Sequence, residues 1–232
     1  MIGVVIQGKG LGFDTFNPII YHKFGDRSIL DLTIDNCVAS AHLQKVIVSL
    51  PFSEKKNVQV SSIGHKNSLT KREILGRTPK FNYYLGEVEN SLDGLYQAAL
   101  DNELDHIVRV YANCPLLPTW LINKMVFNYL SKDNVKELHT NQSEYNEGFR
   151  VDIFPFWYLA EAFIYQEERK DLHLDSSRLI NTQNVEDLSM PNCQQSLAFK
   201  ELEQAEEFDA YIANVMSGYD ITDLLEEQNG NN

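Results

Sequence analysis

The sequence predicts an α/β fold built on a largely parallel sheet. Three short, β-branched apolar runs carry this expectation: GVVIQ at 3–7, KVIVSL at 45–50 and HIVRVY at 106–111. Between them lie longer segments whose apolar residues recur at helical spacing, the alternation of βαβ units. The first run also ends in a glycine-rich loop, GKGLG at 8–12, as a buried strand does when it turns at a sheet edge.

Each element follows from its residues. Ser28 is placed to cap a helix, because Ile29, Leu30, Leu32, Thr33, Ile34, Cys37 and Val38 follow it on one face. The strand at 45–50 is expected to stop at Pro51, which has no N–H to donate. A third strand is expected over Val58–Ile63, then a polar, basic helix or loop over Lys66–Lys80 and a short strand at Tyr83–Gly86. Asn90–Leu100 reads as a helix with Leu92, Leu95, Tyr96 and Ala99 on one face. The strand at 106–111 closes in Asn113-Cys114-Pro115, and Thr119 is expected to cap a helix through Leu130. Arg150–Phe154 alternates polar and apolar as a strand does, and Trp157–Glu168 is helical. Residues 170–195 have no clear period, Leu202–Val215 is helical, and Glu226–Asn232 frays. The domain reading is a single domain over 1–220 with an acidic, flexible tail at 221–232.

Composition narrows the function. The chain of 232 residues is 43% hydrophobic, enough for a sizeable core, and no apolar run is long enough to span a membrane. The short apolar start lacks the basic flank and cleavage site of a signal peptide, so a cytoplasmic protein without membrane contact is expected. The formal net charge is −13, and from Leu179 onward eleven acids face a single base, Lys200. Such a stretch repels polyanions, which argues against nucleic acid as a partner. Three separated cysteines without CxxC make a disulfide frame or structural zinc site unexpected. The six histidines show no metal-ligand spacing, and HExxH and GxSxG are absent.

In an open α/β sheet, ligands bind at the carboxyl ends of strands. Gly8, Lys9, Gly10 and Gly12 therefore form a candidate nucleotide loop whose backbone N–H groups could meet phosphates, the alternative being a plain tight loop. The loop is neither a Walker A motif nor a Rossmann fingerprint, since Phe13 stands at the last glycine position. Arg109 lies inside an apolar strand and must be paired, with Asp105 as one available acid, or face a ligand. Asp152 is the single acid of its strand-like run; it could hold a substrate hydroxyl or a metal, or lie on the strand's solvated face.

The stretch Tyr84–Val126 (YLGEVENSLDGLYQAALDNELDHIVRVYANCPLLPTWLINKMV) resembles the cytidylyltransferase family of nucleotide-sugar synthesis. The match lies in the turn, the helix ending in Ala98-Ala99, the Asp105-x-Ile-Val-Arg109 strand and the Asn113-Cys114-Pro115-Leu116 turn. GVVIQ, GDRSILDLTIDN (25–36), KVIVSL and EGFRVDIFPFWYLAEAF (147–163) match in kind and order. Within the family, which includes the activating enzymes for acylneuraminate and 3-deoxy-manno-octulosonate, the pattern is most similar to the spore-coat polysaccharide synthesis F branch.

The resemblance implies a Rossmann-like three-layer α/β/α sandwich that joins a nucleoside triphosphate, usually CTP, to a sugar or sugar acid and releases pyrophosphate. It also implies magnesium at the phosphates, a catalytic side near Arg109 and Asn113, phosphate contacts from the 8–12 loop and Lys23, a sugar side near Asp152, and a homodimer using 150–195 as an arm. The departures fall on the chemistry. Asn113 stands where the family has its first metal carboxylate, and Asn is the poorer magnesium ligand. The phosphate lysine of the N-terminal loop has no counterpart, with Lys9 and Lys23 flanking the gap, and Asp93-Gly94 replaces Asp-Arg. Lys200 stands where a second Asp is often found. It could supply a fixed positive charge in place of magnesium, or be a solvated residue before an acidic helix. The metal site is thus expected to be weakened. Two other readings stay open: a non-catalytic relative that binds nucleotide or sugar, and a glycosyltransferase, for which the Asp-x-Asp motif is absent.

Overall fold

The computed structural model describes residues 1–9, 16–55, 80–86, 91–131, 138–141 and 147–168. They form a mostly parallel six-stranded sheet with helices on both faces. Strand β1 (Ile2–Gln7) lies at its centre, between β4 (Lys45–Pro51) and β6 (His106–Tyr111), both parallel to it. β5 (Lys80–Gly86) extends the sheet beyond β4 in parallel register. On the other side β8 (Asp152–Pro155) pairs antiparallel with β6, and β7 (His139–Thr140) antiparallel with β8. The order is β5-β4-β1-β6-β8-β7. All six residues of β1 are buried, as a central strand covered on both faces requires.

The period-2 alternation of the strands divides the core. Val4, Ile6, Val46, Val48, Val108, Val110 and Ile153 point to one face, covered by α1 (Ile29–Val38) and α3 (Thr119–Leu130). Val5, Ile47, Ile107 and Phe154 point to the other, covered by α2 (Ser91–Asp101) and α4 (Phe156–Glu168). Fully burying each such aliphatic side chain contributes about 1.5–3 kcal/mol. On the second face the Tyr96 ring of α2 stacks on Phe163 of α4, centroids 4.2 Å apart.

Ser28 caps α1 in a reciprocal box: its Oγ accepts from the Asp31 N–H at 3.0 Å, and the Asp31 carboxylate accepts from the Ser28 N–H at 2.9 Å. A two-stranded hairpin, β2 (Lys23–Phe24) and β3 (Arg27–Ser28), turns through Gly25 at φ 62°. At the amino end of β6, His106 Nδ1 lies 3.0 Å from the hydroxyl of the buried Tyr129, whose ring also meets His139 edge-on.

Several expectations need correction. Thr119 does not cap α3. Pro118 occupies the cap position with extended backbone, and Thr119 Oγ1 instead donates to the Asn36 carbonyl at 2.9 Å, tying α3 to α1. Pro51 closes β4 from within, paired in register with Gly86. The strand expected from Arg150 begins at Asp152, and β5 begins at Lys80 rather than Tyr83. β7 and the β2–β3 hairpin are too short for periodicity to signal. The expected strand at 58–63, the helix at 202–215 and the tail lie outside the described residues. Among the described residues no helix is long and apolar enough to cross a membrane.

Candidate functional site

The site is built where the parallel strands end. From β1 the chain turns at once through Gly8 and Lys9. Gly8 N–H donates to the Ser49 carbonyl at 2.8 Å, and a Cβ at Gly8 would fall 2.3 Å from Leu50 Cδ2 and 2.8 Å from that same carbonyl oxygen. The glycine is required by the close approach of β1 to β4. Beside it, β6 runs into the turn Ala112–Asn113, with Ala112 N–H donating to the Gln7 carbonyl at 3.0 Å. Thr33 Oγ1 donates to the Ala112 carbonyl at 3.1 Å and Asn36 Nδ2 to that of Pro115 at 2.9 Å, so α1 holds this turn rigidly.

The charged part of the site sits one strand further on. Arg109 alternates with Ile107 along β6 and is opposite Asp152 of β8. Its Nε and Nη2 donate to Asp152 Oδ2 at 2.9 and 2.6 Å. Arg150, just before β8, donates from Nε to both carboxylate oxygens, at 3.1 Å to Oδ2 and 3.3 Å to Oδ1. Both guanidiniums lie against the Tyr111 ring, 5.5 Å (Arg109) and 5.7 Å (Arg150) from its centroid. The Asp152 side chain is 0% exposed, against 5% for Arg109 and 12% for Arg150. Burial alone would raise the Asp152 carboxyl, but Arg109, Arg150 and hydrogen bonds from Thr140 and Arg109 outweigh it and hold it below the ordinary carboxylate range. It is therefore ionised, with both guanidiniums bound to it.

The sequence-derived residues are thus only partly brought together. Arg109 and Asp152 meet directly; the acid paired with Arg109 is Asp152 and not Asp105, which instead binds the amino terminus of Met1. Asp152 does not lie on a solvated strand face: it is fully buried, with the Arg109 and Arg150 side chains against its carboxylate. Asn113 is fully buried in the turn after β6. Gly8 and Lys9 lie at the end of β1, and Lys23 is exposed on the small hairpin. Gly10, Gly12 and Lys200 lie outside the described residues. Arg150, Tyr111 and Thr140 were not singled out from the sequence. The Arg-Val-Asp alternation at 150–152 was the available signal, since it sets Arg150 and Asp152 on one side of an extended chain.

The described residues do not fit a magnesium site. Asn113 is neutral and buried, and both oxygens of Asp152 are taken by arginine. Among the described residues no group of three or more His, Cys, Asp or Glu side chains could hold a metal ion.

The architecture has solved counterparts. The 4-diphosphocytidyl-2C-methyl-D-erythritol synthase of Anaerococcus prevotii superposes with a TM-score of 0.63 at 14% identity, over 92% of this chain and 96% of that one. The chain shares the fold of this enzyme. A cytidylyltransferase of Leptospira borgpetersenii matches with a TM-score of 0.55 at 20% identity, covering 73% of this chain and 68% of that one. A CMP:2-keto-3-deoxy-manno-octonic acid synthetase complexed with CTP matches with a TM-score of 0.55 at 10% identity, covering 92% and 98%. In sequence, the chain is 29% identical over 147 residues to the uncharacterized protein MJ1063 of Methanocaldococcus jannaschii. That match covers 63% of this chain and 54% of MJ1063, so the chain spans about half the length of the curated relative it matches. No protein-family model matches the chain.

Proposed function

We propose that this chain is a cytidylyltransferase-like protein of nucleotide-sugar synthesis, serving surface polysaccharide, that moves a nucleotidyl group from CTP to a sugar or sugar acid. The observation that carries this reading is a convergence. On a fold shared with a cytidylyltransferase, a diphosphocytidyl-methylerythritol synthase and a synthetase complexed with CTP, the turns after β1 and β6 and the Arg109–Asp152–Arg150 cluster all occupy the carboxyl edge of the sheet. In the proposed reaction an acceptor oxygen forms a bond to the α-phosphorus. The bond from that phosphorus to the β-phosphate bridging oxygen breaks, pyrophosphate leaves with the electron pair, and the acceptor proton passes to solvent. The turn after β1 and Lys9 would meet the phosphates, Arg109 and Asn113 would line the nucleotide side, and the 147–157 segment would meet the acceptor. Lys200 is retained as a candidate fixed charge at the phosphates. A homodimer through 150–195 draws support from the exposure of Trp157 and Ile164 on α4. The protein would work in the cytoplasm.

A second reading has one specific observation in its favour. A neutral, fully buried Asn113 at the metal-carboxylate position suits a non-catalytic relative that retains the pocket for binding. A thermal-shift titration with CTP decides whether the nucleotide pocket functions: at about 100 times its dissociation constant, CTP should add about 2.7 kcal/mol of stability. Pyrophosphate release with candidate sugars then separates the two readings. Failure of CTP and every other nucleoside triphosphate to stabilise the chain overturns the proposed function.

A further inference from the structure

We propose that the segment Leu202–Val215 docks on the outer face of α3 and covers Trp120, Phe127 and Leu130. The docking is independent of the proposed function. Helix α3 turns Leu121, Ile122, Met125, Val126 and Tyr129 inward, where they are buried. A surface helix with such an inner face normally presents polar residues to water on the other. Here the outer face is apolar: Trp120 is 45% exposed, Phe127 62% and Leu130 47%. They stand at i, i+7 and i+10 and so line one stripe of the helix. Single exposed apolar residues are ordinary, but three large ones in a row mark an interaction surface.

The chain itself carries a complement. Leu202–Val215 lies outside the described residues, and its sequence sets Ala205, Phe208, Ile212 and Val215 at i, i+3, i+7 and i+10. This is the spacing of the α3 stripe, and two helices so patterned can interdigitate their side chains. A helix of this length is marginal alone in water and is stabilised by packing its apolar face. Residues 169–201 separate the segment from the end of α4, long enough at about 3.3–3.6 Å per residue to reach any face of the domain. Charge then selects α3 over the other exposed row, Trp157 and Ile164 on α4. The segment carries Glu203, Glu206, Glu207 and Asp209 and no base. Helix α4 carries Glu161, Glu167 and Glu168 and likewise no base, and like charges set against each other oppose docking. Helix α3 carries no acid, and its one charged residue is Lys124, between Trp120 and Phe127.

The test uses the full chain with Cys193→Ser, since Cys37 and Cys114 are buried. Phe127→Cys is combined with Phe208→Cys and, separately, with Ile212→Cys, one turn further on. Ile164→Cys with the same two partners is the comparison. Each variant is treated with a short bis-maleimide, and the products are read by intact mass and peptide mapping. At least one Phe127 pair should link within a single chain, and neither Ile164 pair should. Linking of an Ile164 pair in place of the Phe127 pairs overturns the proposal. A link found only between two chains assigns the α3 face to a second copy and overturns it too, as does the absence of any link. A second measurement reads the fluorescence of Trp120 alone, in the full chain with Trp157→Phe. Its emission should be that of a sheltered indole and should shift to the red when Phe208→Asp and Ile212→Asp are added. Emission that already matches a water-exposed indole, or that the two added substitutions leave unmoved, overturns the proposal.

Discussion

Asp152 Oδ2 accepts two hydrogen bonds from Arg109, at 2.9 and 2.6 Å, across the antiparallel β6–β8 pair, with both side chains withdrawn from solvent. Removing one partner of such a pair costs far more than the pair contributes, because the other charge is left buried and uncompensated. Asp152→Asn removes the carboxylate that both Arg109 and Arg150 bind and should cost about 3–5 kcal/mol in urea unfolding. Replacing all three, as Arg109→Met and Arg150→Met with Asp152→Leu, should cost less than Asp152→Asn alone. A triple variant less stable than the single one would rule out uncompensated charge as the cause.

The same carboxyl sets an acid limit. Its folded value lies below its ordinary 3.8, so its contribution is complete above that value and is lost as pH falls through the lower folded value. His106 acts at higher pH. Burial, and after it the nearby amino terminus, lower its folded value below 6.5, with Asp105 opposing them. The unfolded chain then binds the proton more readily, and stability should decline as pH drops from 6.5 toward the folded value. Urea midpoints of the parent and His106→Gln between pH 7 and 5 check this; the variant should show a flatter profile over that window.

Gly8→Ala is expected to damage the sheet where β1 turns beside β4. The new methyl would lie 2.8 Å from the Ser49 carbonyl oxygen, a backbone atom that cannot swing aside, and 2.3 Å from Leu50 Cδ2. Overpacking of this kind costs about 1–3 kcal/mol, read as a lower denaturation midpoint. An unchanged midpoint would mean that the β1 turn is looser than the Gly8–Ser49 hydrogen bond implies.

Ser28→Ala removes one half of the capping box at α1 and should cost about 1 kcal/mol, whereas Ser28→Asp should keep most of the stability. Because α1 bolts the turn after β6 through Thr33 and Asn36, loss of the cap should also raise amide exchange in residues 112–114. Exchange confined to the first turn of α1 would separate the cap from the site.

Much of the architecture was legible in residue order. GVVIQ, KVIVSL and HIVRVY are nearly continuous apolar runs, and only a strand covered on both faces tolerates that composition, so a parallel sheet with helices on both sides followed from local pattern. The cap at Ser28 was equally local, since the hydroxyl and the Asp31 N–H it accepts from lie three residues apart. The α3 cap was misread because Thr119 had a competing acceptor, the Asn36 carbonyl, 83 positions away in the chain.

The sequence alone determined the alternation of strands and helices, the apolar faces, and the presence of a lone arginine in a buried strand. Only the tertiary structure decided where that arginine's charge goes. Asp105 is four residues from Arg109, yet the side chain that neutralises it is Asp152, 43 residues on, brought opposite by the antiparallel pairing of β8 with β6. The same pairing turned Asp152 from a potential ligand of hydroxyl or metal into the shared anion of two guanidiniums. Strand register is fixed by turns and by which face must be buried, and a shift of one residue would have pointed Asp152 to the opposite face of the sheet. Chemistry that depends on such a juxtaposition cannot be read from spacing along the chain.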